Sequence, residues 1–233
     1  FDTYFGSAGF ARSNDRVSFR VSANRLISDG TNAFPTGNED DGIEATMLHG
    51  KLGIRVSDTV DMNVVAIHQD NRTEFDGGFP RADDPTSRTE TERDMGRLAF
   101  NYVTLDRLWS ASASAQFMSS RQDTNGGITD GFRRKASVQA SRLFEGDGLD
   151  HRVVIALQGE EETRKDSSGG FERGQKSIIG EYRLVSDDGH AFGGSVRADD
   201  NDSFQNAVTW HVDGLVALTS QSRLHASAGT GIK

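Results

Sequence analysis

No cysteine occurs anywhere in this chain, which excludes a disulfide scaffold and any thiolate metal site. Prolines number only 3, against 26 glycines. No run of about 18 apolar residues is present, so no transmembrane helix is encoded. A charged-then-apolar leader is also missing at the N-terminus, so a secretory signal is absent from this sequence or was removed. Basic excess is lacking too: 26 Lys and Arg face 35 Asp and Glu, a net charge of -9. That balance argues against nucleic acid as a partner, since phosphate binding needs a basic patch. Apolar residues make up only 34% of the chain. This would be hostile to a helical membrane protein, but not to a β-barrel, whose lumen face, turns and outer loops are polar.

What is present is alternation. Trp109, Ala111, Ala113, Ala115 and Phe117 interleave with Ser110, Ser112, Ser114 and Gln116. Val17, Phe19, Val21 and Ala23 interleave with Ser18, Arg20, Ser22 and Asn24. Leu48, Gly50, Leu52, Ile54 and Val56 stand against His49, Lys51, Gly53 and Arg55, and Phe192, Gly194, Val196 and Ala198 against Gly193, Ser195, Arg197 and Asp199. A period of two puts each set on its own side of a strand, which no helix would do. The pattern predicts about twelve antiparallel strands, each near the ~9–11 residues that cross a bilayer at a tilt. They fall at 1–12, 17–28, 43–56, 60–71, 94–104, 108–119, 132–143, 151–162, 174–185, 190–199, 205–218 and 223–232. Strand 60–71 is the least distinct, because Val64, Val65, Ala66 and Ile67 blur its two faces.

The connections alternate in kind. Short polar turns are expected at 13–16, 57–59, 105–107, 145–150, 186–189 and 220–222, and longer loops at 29–42, 72–93, 120–131 and 163–173, with a shorter one at 200–204. Short turns on one rim and long loops on the other is the asymmetry of bacterial outer-membrane barrels. In a soluble sandwich the apolar faces would point inward, whereas in a barrel they meet lipid, and periodicity alone does not separate the two. Strands longer than the usual five or six residues favour lipid. So do cations at mid-strand on the polar face: Arg20, Lys51, Arg97 and Arg183.

Several segments carry a family resemblance. Leu224-His225-Ala226-Ser227-Ala228-Gly229-Thr230-Gly231-Ile232-Lys233 is similar to the mid-barrel strand of TonB-dependent outer-membrane receptors. Arg197-Ala198-Asp199-Asp200-Asn201-Asp202-Ser203-Phe204 resembles their Arg-x-Asp-Asp-Asn-x-x-Phe corner. Asn38-Glu39-Asp40-Asp41-Gly42 and Asn71-Arg72-Thr73-Glu74-Phe75-Asp76 resemble outer loops of the vitamin B12 (cobalamin) transporter branch. The resemblance implies an all-β, up-and-down antiparallel meander forming the first half of a transmembrane barrel in the bacterial outer membrane. It implies a transport protein for a small nutrient, cobalamin-like or an iron chelate, with outer-membrane lipid and TonB as partners and no catalysis. TonB would act through the family's plug domain. The plug and the later strands are absent from residues 1–233, so the parent gene is expected to continue on both sides.

The acidic loops are the chief candidate site. Asp29, Glu39, Asp40 and Asp41 share one predicted loop, and Asp76, Asp83 and Asp84 the next. Calcium takes six to eight oxygen ligands, so carboxylates converging from adjacent loops suit a hard cation, while the bland alternative is a solvated acidic loop. By resemblance to the cobalamin branch, Asp29, Glu39, Asp41, Asp76 and Asp84 would stand in a calcium cage. The Asp199–Asp202 run lacks the glycine and glutamate of an EF-hand and reads as a turn. The 6 histidines show no ligand spacing, and the serines alternate along strands, which explains them without a nucleophile. Tyr102, Trp109 and Trp210 are candidates for an interfacial aromatic girdle or plain lipid-facing bulk. Two other classes stay open on the residues alone: an outer-membrane barrel enzyme, and a soluble calcium-binding β-sandwich adhesin.

Overall fold

The computed structural model describes residues 2–32, 40–77, 84, 86–219 and 221–231. Twelve strands form one antiparallel sheet whose spatial order is the chain order. They are β1 (Thr3–Ser13), β2 (Val17–Thr31), β3 (Asp41–Arg55), β4 (Val60–Glu74), β5 (Arg88–Val103) and β6 (Trp109–Thr124). The second half comprises β7 (Gly127–Gly146), β8 (Leu149–Asp166), β9 (Gly169–Ser186), β10 (Ala191–Asn201), β11 (Ala207–Ala217) and β12 (Arg223–Gly229). Every strand expected from alternation is present. The sheet is a single layer, which removes the sandwich alternative: a sandwich would cover its apolar face with a second sheet.

Register carries one apolar face across the whole sheet, because directly opposed residues in an antiparallel pair share a side. Val17, Phe19 and Val21 oppose Ile54, Leu52 and Gly50, which in turn oppose Met62, Val64 and Ala66. The set continues through Phe100 and Leu98 to Ala113 and Ala115, then to Val138, Leu157 and Ile178. Phe192 and Val196 belong to it as well. The blurred β4 run resolves here: Val64 and Ala66 lie on the apolar face, and Val65 and Ile67 on the polar one. These large side chains stay open, with Ile155 58% and Val196 53% exposed, while Ala99 and Ala156 are the buried apolar residues among those described. An exposed belt of this extent, wrapped round a sheet with no core of its own, is a lipid-facing surface.

The two rims differ, though not as alternation suggested. Segments 120–131 and 163–173 are not long loops. Hairpin β6–β7 continues to a two-residue turn at Asn125 and Gly126, with φ of 53° and 85°. Hairpin β8–β9 continues to Asp166 opposite Gly169. On the opposite rim the strands end flush with the apolar belt, as at Trp109 and Phe144. Thus β7 reaches 20 residues and overtops the belt on one side only.

Candidate functional site: the tall rim and the polar wall

Asp29 lies in β2 rather than in a loop, exposed, with its backbone N–H donating to the Asp2 carbonyl at 3.0 Å. The next residue makes a bulge: Ser28 opposes Ile43 but Thr31 opposes Asp41, one residue too many on β2. Gly30 absorbs it at φ 77°, and a Cβ there would sit 1.7 Å from the Asp41 carbonyl oxygen. The bulge therefore brings Asp29 and Asp41, the first residue of β3, to the same hairpin end. Glu39, Asp83 and the segment around them lie outside the described residues.

Asp76 follows β4, part-buried, and its Oδ2 is buried without a hydrogen-bond partner among the described residues. Asp84 is buried and engaged locally. Its Oδ1 accepts from Thr86 N at 3.1 Å and Thr86 Oγ1 at 2.6 Å, and its Oδ2 from Ser87 Oγ at 2.8 Å. The Phe75 N–H donates to the Ser87 carbonyl at 3.1 Å, tying the two arms of this connection together. The acidic residues thus stand at the mouths of two neighbouring hairpins.

Among the described residues, the set that brings three ligand-type side chains within 4.8 Å of one another is a different one: His68, Glu92 and Asp94. His68 Nδ1 lies 2.8 Å from Asp94 Oδ1. The β4–β5 register opposes His68 to Asp94, on the apolar face just above Ala66 and Gly96. Sequence reasoning missed it because the pair is far apart in the chain and meets only through register.

The polar face carries its charge in networks. Arg197 Nε donates to both oxygens of Asp199, at 2.8 and 3.0 Å, and its two terminal nitrogens to Gln158 Oε1 at 3.2 Å and Ser177 Oγ at 2.8 Å. Ser177 Oγ in turn donates to Asp199 at 2.5 Å. Asp199 is 5% exposed, so the residue that resembled part of a corner motif is a strand anchor, and the bend begins only at Asp202. Higher on the wall, Glu160 faces Arg133 at 2.7 Å and Lys135 at 3.8 Å, and Glu162 pairs with Arg173. These ion pairs lock β7, β8 and β9 together where the strands rise past the belt. Arg20, Lys51 and Arg97 lie on the same polar face.

Solved structures share this arrangement. The siderophore receptor PirA from Pseudomonas aeruginosa superposes with a TM-score of 0.80 at 14% identity, over 97% of this chain and 38% of that one. The ferric-catecholate import receptor Fiu from E. coli K12, in its open form, gives 0.79 at 9% identity, over 97% of this chain and 52% of that one. The fold is that of a TonB-dependent receptor barrel. In sequence, the chain is similar to the vitamin B12 transporter BtuB of Photobacterium profundum, at 24% identity over 89% of this chain. No protein-family model matches. The chain spans 35% of that curated relative's length, and 38% and 52% of the two receptors above. Barrels of this fold reside in the outer membrane, with an apolar belt against lipid and short turns on the periplasmic side. The relatives are named as transporters and receptors, not as enzymes.

Proposed function

We propose that this chain supplies wall strands of an outer-membrane receptor that imports a scarce small nutrient, a cobalamin-like molecule or an iron chelate. Uptake would be driven by TonB acting on a plug domain held against the polar wall. One observation carries the reading: a twelve-strand meander with a lipid belt outside and paired charge inside, matching receptor barrels over 97% of its length. Such a wall binds and admits; the proposed role includes no catalytic step. The test is accumulation of labelled cobalamin and labelled ferric chelates by energised cells with and without the gene. Loss of uptake for one of these cargoes on deletion, restored by complementation and abolished by an uncoupler, is expected. Unchanged uptake of all of them would refute the reading.

Calcium belongs to the same proposal. Asp29, Glu39, Asp41, Asp76 and Asp84 are proposed to order the tall rim round a calcium ion, with Asp84 already fixed by Ser87 and Thr86 and Asp76 offering its unsatisfied Oδ2. An ion that binds only the ordered rim stabilises it by mass action, and loops of this kind outside the cell hold calcium at about 10⁻⁴–10⁻³ M. Cargo and calcium would then tighten one another equally. Calorimetry on the complete receptor should show millimolar-range binding that Asp41→Ala and Asp76→Ala weaken. No heat in the wild type, or equal binding by both variants, would leave the rim merely acidic.

A further inference from the structure

The lipid belt carries few charges. Towards the flush rim, the apolar face carries Arg12, opposite Phe19, and Arg142, opposite Trp109 and Val153, whereas Lys176 and Asp200 oppose each other at the far, tall end of β9 and β10. Arg142 is not idle. Its guanidinium lies 4.7 Å from the Trp109 ring centroid and 4.6 Å from that of Phe144, held between two aromatic faces. No carboxylate among the described residues pairs with it within 4.0 Å, and the acid that feels its charge is Asp106, in the turn below. Beside it, His151 opposes Phe144 and its Nδ1 lies 2.7 Å from the Tyr182 hydroxyl.

The depth of this group selects its occupant. Trp109 opens β6 and Phe144 lies two residues from the end of β7, so the cluster stands at the flush rim, the level of lipid headgroups in the periplasmic leaflet. A bare cation among lipid tails is expensive, and it is tolerated when it reaches an anionic headgroup. Two rings fix the guanidinium plane, so its remaining N–H groups present a fork suited to two phosphate oxygens. A polar pair, His151 and Tyr182, adjoins it on the side away from Trp109. We propose that Trp109, Arg142, Phe144, His151 and Tyr182 form a binding site for the phosphate of an anionic phospholipid, phosphatidylglycerol in character, in the periplasmic leaflet. Headgroup phosphate completes the charge that the protein leaves open.

The test uses the complete receptor in phosphatidylcholine bilayers containing trace photoactivatable lipid, with the adducts mapped by mass spectrometry. With a diazirine set near the glycerol, the phosphatidylglycerol analogue should label peptides containing Arg142–Val153 about fivefold more than the phosphatidylcholine analogue, the preference one basic residue confers near an anionic surface. R142Q should bring that ratio to about one. R152Q, which removes a cation from the opposite face ten residues on, should leave it as in the wild type. Equal labelling by the two analogues in the wild type overturns the proposal without any variant. So does an undiminished ratio in R142Q, or an equal loss in R152Q, which would mark a diffuse charge effect instead of a site.

Discussion

At the scale of single residues, polar side chains at the hairpin tips replace what long loops would have supplied. Asp166 closes β8 by accepting from the Ser168 backbone at 2.8 Å and its hydroxyl at 2.5 Å. The Ser168 hydroxyl, then its backbone N–H, hold the Asp166 carboxyl below the ordinary aspartate range. A depressed folded-state pKa means that the ionised carboxylate stabilises the tip above the unfolded-state pKa, and that this contribution is lost as pH falls through the folded value. An NMR titration of the Asp166 carboxyl should therefore find a midpoint below that of a free aspartate, moving up in Ser168→Ala. Identical midpoints in both proteins would mean that the serine is not the cause. The same contacts show what composition conceals. Asp84, one of five acidic candidates, is already committed to Thr86 and Ser87, and no count of carboxylates reveals that.

At the scale of elements, two-residue turns decide how far the strands run. Gly126 has φ 85° with nothing within 4 Å of where a Cβ would lie, so Gly126→Ala meets backbone strain and no clash. It should cost about 1–2 kcal/mol, the penalty of a left-handed conformation for a residue with a side chain. Hydrogen exchange should quicken around Arg121–Asp130 while Ala111–Phe117 stays protected; no change at the tip would contradict the turn assignment. Here too lies the boundary of what the sequence disclosed. All twelve strands were legible where one face meets lipid, because only there does apolar alternate with polar. Above the belt both faces meet water, so Arg121-Gln122-Asp123 reads as loop although it is strand, despite the Asn125-Gly126 hairpin signal beside it. Of the two alternatives open for the aromatic residues, Trp210 takes the second: it opposes Val196 in mid-belt as lipid-facing bulk, while Tyr102 and Trp109 stand at the girdle position. The His68, Glu92 and Asp94 set was invisible for a related reason, since proximity there is a property of register.

At the scale of the whole molecule, the two faces differ in what they tolerate. Ala113 opposes Phe100 and Val138 in the belt, and Ser112 opposes Asn101 and Gln139 on the polar wall. Ala113→Arg should cost about 2–4 kcal/mol of barrel stability and Ser112→Arg little, measured by refolding the complete protein into bilayers. Equal penalties would reverse the assignment of faces. The unequal rims have a consequence of a different kind. On β7, Gly127–Arg134 stand above the belt, a height on the order of 20 Å at the usual rise per residue. To anything arriving from outside the cell, this stretch is a palisade of laddered backbone and not a fringe of loose chain. A protease needs an unpaired, extended segment to fill its cleft, and these ribbons offer none below their two-residue tips. Stiffness of that sort also fixes the outline of the rim along β6 to β9.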